Sequence, residues 1–121
     1  MTRAVLVAVA GALGALARYG IGTAVGVRSF PWATLVINMA GSFALGFVLG
    51  GPGAARWSSH ATTAVAVGFL GAFTTFSTFA FEGTALVRDE RVGAAALYVG
   101  LSVVLGLLAA AAGFVTGRST T

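Results

Sequence analysis

Four runs of mainly apolar residues, Ala4 to Val27, Trp32 to Leu49, Ala61 to Phe81 and Val92 to Thr116, fill almost the whole chain. A helix needs roughly 20 such residues to cross a bilayer, so each run is long enough to span. The breaks between them are Arg28-Ser29-Phe30-Pro31, Gly50 to His60, and Arg88-Asp89-Glu90-Arg91. Connections this short make consecutive helices antiparallel neighbours. The pattern predicts an all-α membrane protein with one four-helix transmembrane domain over residues 1–121 and no soluble domain.

Composition agrees: 58% of the residues are hydrophobic and 8% charged, too few charges for a water-soluble surface of this size. The apolar run near the N-terminus outlasts a signal-peptide core and is read as a span. The net charge of +4 comes from single, scattered Arg residues, not from the basic stripe that nucleic-acid binding requires, so no nucleic-acid partner is expected. With no Cys and only His60, neither a thiolate site nor an imidazole cluster can form. Metal-dependent catalysis is not expected, and the chain does not read as an enzyme.

Trp32 and Trp57 fall beside span ends, where an amphipathic ring prefers the membrane interface. Small residues let membrane helices approach closely. Gly14, Arg18, Gly22 and Gly26 recur every four residues on one face of the first span, and Tyr98, Ser102 and Gly106 do so on the fourth. An even number of spans puts Arg3, Arg56 and Arg118 on one side of the membrane and Arg28, Arg88 and Arg91 on the other. Orientation follows the bias in Arg and Lys near span ends, and three against three gives none. Both orientations are expected to insert, with an antiparallel, dual-topology homodimer as the consequence. One four-helix unit has little interior, which favours a subunit interface for any permeation path.

Polar side chains inside a span are expensive and point to function. The third run concentrates them in Gly71-Ala72-Phe73-Thr74-Thr75-Phe76-Ser77-Thr78-Phe79. Clustered hydroxyls compete with helical hydrogen bonds, so the helix is expected to break near Thr74 to Ser77 and to free carbonyls able to bind a cation. Phe76 and Phe79, three apart, are expected on one face with their rings stacked along it. The positive edge of a phenyl ring offers a small anion a weak, charge-free site. In the second run Asn38 lies mid-span between Thr34 and Ser42, and its amide carries two donors. Arg18 stays protonated and must face protein or water. Glu82 ends the third run.

Gly11-Ala12-Leu13-Gly14-Ala15-Leu16-Ala17-Arg18-Tyr19, the run from Pro31 to Phe43 that contains Asn38, and Thr74-Thr75-Phe76-Ser77-Thr78-Phe79 followed by Glu82 resemble the motifs of the Fluc/CrcB family of fluoride channels. The resemblance runs through all four spans. It implies a multi-pass protein of the plasma (inner) membrane, acting as an antiparallel homodimer with two fluoride pathways. In those pathways Phe76 and Phe79 would supply ring edges and Asn38 would donate to the anion. Thr75, Ser77, Thr78, Tyr98 and Ser102 would be further lining groups. A structural sodium ion at the dimer centre would be held by the backbone carbonyls of Gly71 and Thr74 from each chain, and Arg18 and Glu82 would lie near the aqueous vestibules. Ala33 and Ala72 stand where the family usually has Gly, and Ala72 adds a methyl beside the cation site.

The activity so implied is passive export of toxic fluoride: neutral HF enters, dissociates inside, and the trapped anion leaves. A small multidrug-type exporter of similar length is the nearest rival, but cation export coupled to protons needs a carboxylate in the bundle, and the first run has none. A non-transporting membrane assembly protein is the other alternative.

Overall fold

The computed structural model describes residues 1–121 and is all-helical. Helix α1 (Thr2–Val25) and helix α2 (Trp32–Gly50) are followed by two short helices, α3 (Pro52–Ala55) and α4 (Ser59–Thr63). Helix α4 continues through a wide π-helical segment, Ala64–Phe69, into α5 (Leu70–Phe73); α6 (Phe76–Arg88) and α7 (Val92–Ser119) complete the chain. Four stretches are long and apolar enough to cross a membrane: Thr2–Val25, Trp32–Ala55, Ser59–Arg88 and Val92–Ser119. The protein is a multi-pass membrane protein.

Several boundaries differ from the expectation for local reasons. Helix α1 stops two residues before Val27 because Gly26 takes a left-handed φ of 73°, with its N–H closing on the Gly22 carbonyl. The second connection is not simply a break: Pro52 occupies the first turn of α3, where its missing N–H is no loss. The third span runs on past Phe81 to Arg88, which puts Glu82 within α6.

Two helix pairs make the protomer. Helices α2 and α7 share the most extensive contact, and α1 packs on the first half of the third span. Glycine makes both possible. A Cβ on Gly46 would overlap the Ala110 carbonyl, and one on Gly113 would overlap that of Phe43. One turn further along, Gly50 lies against Phe114 and Gly117 against the Phe47 carbonyl. These two four-residue spacings let the backbones of α2 and α7 touch, and they are the small-residue signature that the reading of the fourth run had placed on Tyr98, Ser102 and Gly106. On α1 only Gly14 makes so close an approach, to the Phe69 carbonyl; nothing lies within 4 Å of a Cβ on Gly22 or Gly26. We expect Gly113→Ala to lower stability by about 1–3 kcal/mol through overpacking. Thermal unfolding in detergent measures it, with Gly93→Ala as the control because that position is open.

Candidate functional site

The third span is interrupted at its middle. Thr74 (φ −79°, ψ 158°) and Thr75 (φ −149°, ψ 118°) are extended, and the helix resumes at Phe76. The break falls on the first two residues of the stretch where the hydroxyl cluster predicted it. The Thr74 hydroxyl donates to the Leu70 carbonyl at 3.0 Å, while the Thr74 N–H reaches the same oxygen at 3.1 Å. Thr75 caps the next helix: its Oγ1 accepts the Thr78 N–H at 3.3 Å and lies 3.1 Å from the Thr78 hydroxyl.

Asn38 holds the gap open. Its Nδ2 donates to the Thr75 carbonyl at 3.0 Å, and its Oδ1 accepts the Thr75 N–H at 2.9 Å. Both backbone groups of Thr75 are thus satisfied by a single side chain from α2, as membrane depth demands. One of the two amide N–H donors remains available to a ligand.

The same exchange releases carbonyls. In a continuous helix Gly71 would accept from Thr75 and Thr74 from Thr78. Those two N–H groups instead go to Asn38 and to the Thr75 hydroxyl. The Gly71 and Thr74 carbonyls, the pair named as cation ligands, have therefore lost their helical donors. Between them the Ala72 carbonyl accepts from Arg18 Nε at 3.0 Å, so the mid-span arginine is anchored at the break. The Ala72 methyl faces Gly11 of α1, 3.9 Å from where a Cβ would stand there. The first turn of α6 begins at the break with its N–H groups and the positive end of the helix dipole.

Phe76 and Phe79 share a face of α6, with centroids 5.7 Å apart, but their planes cross at 57°, so the expected stack is a tilted pair. A second ring explains the tilt: Phe79 packs on Tyr98 at 5.2 Å and 58°. Phe76 is 78% exposed in the single protomer. Tyr98 is completely buried and its hydroxyl donates to Glu82 Oε1 at 3.0 Å.

Two cavities meet at Thr75. A groove of about 340 Å³ is lined by Asn38, Phe76, Phe79 and Ser102, with Gly71 and Thr74 at one wall. A wider one of about 810 Å³ holds Arg18, Thr34, Thr78 and Glu82, and Thr75 borders both. Of the residues read from the sequence, Ser77 and Tyr98 line neither: Ser77 is exposed and Tyr98 sits behind Phe79. Gly22 and Gly26 border the wider cavity, which is why they pack on nothing. Sequence reading missed Phe30, whose place before Pro31 in a short connection looked like part of a loop although the ring is buried.

The family model described as "CrcB-like protein, Camphor Resistance (CrcB)" matches residues 5–114. A protein of Thermus thermophilus named fluoride-specific ion channel FluC is 44% identical over 97% of this chain and 96% of its own. Proteins of the same name from Nitratidesulfovibrio vulgaris (45% identical, 98% of each chain) and Ignicoccus hospitalis (43%, 93% of each) are similarly close. Likeness over that length, on top of a third span broken where the family motif stands, establishes that the chain belongs to the CrcB family.

Proposed function

We propose that two copies of this chain, inserted in opposite orientations, form a passive, selective fluoride channel with two pathways per dimer. The observation that carries the reading is the break at Thr74 and Thr75. It gathers a free amide donor, two phenyl rings and a helix N-terminus in the middle of a span without any fixed cation in the groove. Such partners replace part of the ion's water yet bind it weakly enough for release, as conduction requires. The wider cavity, with Arg18 at its wall, serves as the aqueous approach, and Asn38, Thr75, Phe76, Phe79 and Ser102 form the narrow passage. Neutral HF enters the cell, dissociates, and the anion leaves down its electrochemical gradient.

Several features support the dimer. Only 17 of the protomer's 121 residues are buried, and the face bearing Gly71 and Phe76 is open. The balanced Arg count removes the bias that would fix one orientation. The Gly71 and Thr74 carbonyls fit a structural sodium ion shared by the two copies: they are hard oxygen ligands released from helical bonding. Such an ion would supply charge that holds the two breaks together.

The test is fluoride efflux from liposomes containing the purified protein, followed with a fluoride electrode. Rapid loss of trapped fluoride once a potassium ionophore clamps the voltage is expected. Retention at the rate of protein-free vesicles refutes the reading.

A further inference from the structure

Phe30 belongs to a connection of six residues between α1 and α2, yet its ring is only 8% exposed. It joins Leu35, Leu86, Ala95 and Tyr98 in the buried apolar cluster. It meets Tyr98 edge to face, with centroids 5.5 Å apart and planes at 84°, and touches Trp32 at 4.6 Å. With Phe79 and Phe76 these rings make an unbroken row from Trp32 to the groove. The backbone on either side of Phe30 is pinned. Arg91, at the start of α7, donates to the Ser29 carbonyl, and the Phe30 carbonyl accepts from the Trp32 N–H at 2.8 Å. A surface connection held at both ends with a ring driven inward is built to place that ring.

What the ring controls is Tyr98. A tyrosine on α7 can swing about its first side-chain torsion unless both faces are packed. Here Phe79 occupies one side and the edge-on contact with Phe30 another, leaving the hydroxyl 3.0 Å from Glu82. We infer that Phe30 is a positioning residue for conduction: it sets the Tyr98 hydroxyl on Glu82 at the wall of the wider cavity. This inference rests on the fluoride-channel reading.

Phe30→Leu keeps an apolar side chain and removes the edge-to-face contact. Fluoride efflux per folded protein, counted from the monodisperse gel-filtration peak, is expected to fall about five- to tenfold while elution is unchanged. Phe30→Tyr, whose hydroxyl has the wider cavity beside it, restores the rate to within about twofold. In a Tyr98→Phe background Phe30→Leu adds less than about twofold, because the group it positions is already gone. If Phe30→Leu does not assemble, Arg91→Gln, which frees the Ser29 carbonyl without removing a buried ring, is expected to slow efflux in the same direction. Wild-type efflux from Phe30→Leu, equal losses in both backgrounds, or no recovery with Phe30→Tyr overturns the inference. Should Arg91→Gln stand in, a wild-type rate overturns it. A wild-type protein that passes no fluoride refutes the channel reading itself, and that is visible before any variant is compared.

Discussion

Liposomes carrying Phe76→Ile or Phe79→Ile protein are expected to hold their fluoride while the variants still elute as the wild type does. Isoleucine keeps most of the apolar volume and loses the ring quadrupole, so the change removes the positive edge and little else. Phe76 is largely exposed in the protomer, which makes its loss cheap for folding of the single chain. Phe79 is a stricter position because it also packs on Tyr98, and its variant is expected to show the lower melting temperature of the two. If each ring contributes about 1.5 kcal/mol in place of lost water, flux falls roughly tenfold in either variant and roughly a hundredfold in the double variant. Efflux with a fluoride electrode measures this, and flux within a few-fold of wild type in both variants removes the rings from the pathway.

Asn38→Leu is expected to be equally damaging for a different reason. Its amide satisfies both backbone groups of Thr75, and leucine satisfies neither. Each polar group left unpaired in a buried setting costs about 1–3 kcal/mol, so the break loses roughly 2–6 kcal/mol of support. The local remedy is for Thr75 to return to helical geometry, which would recapture the Gly71 carbonyl and close the gap between α5 and α6. Flux and thermal stability should fall together, unlike the Phe76 variant, where flux alone falls. An Asn38→Leu protein that melts at the wild-type temperature contradicts the clamp.

Physical reasons separate what the residues announced from what they concealed. The four spans were legible because length and apolarity act locally. The break was legible because Thr74 and Thr75 carry their own competing acceptors and donors, and the structure needs only that short stretch to be non-helical. Asn38 stood out by its depth, but its partner did not: the bonds to Thr75 depend on how α2 lies against the third span, 37 residues away in sequence. The tilt of Phe76 on Phe79 was hidden for the same reason, since Tyr98 comes from another helix. Glycine spacing misled where it was read alone. Gly14, Gly22 and Gly26 share a period, yet α1 diverges from its neighbours around the wider cavity and only Gly14 is used. The spacings that do join helices, Gly46 with Gly50 and Gly113 with Gly117, were equally visible in the sequence, but which helices they join depends on how α2 lies against α7. The π-helical turn at Ala64–Phe69 had no signal beyond ordinary small and apolar residues.

A mid-membrane groove lined by no charged side chain is expected to pass fluoride and little else. The most direct test is the reversal potential of the purified protein in a planar bilayer, with both anions on both sides, fluoride in excess on one and chloride in excess on the other, and the same cation throughout. Conduction through the break predicts a current that reverses near the fluoride equilibrium potential and ignores an imposed proton gradient. Reversal near the chloride potential, or a shift that follows the protons, contradicts it.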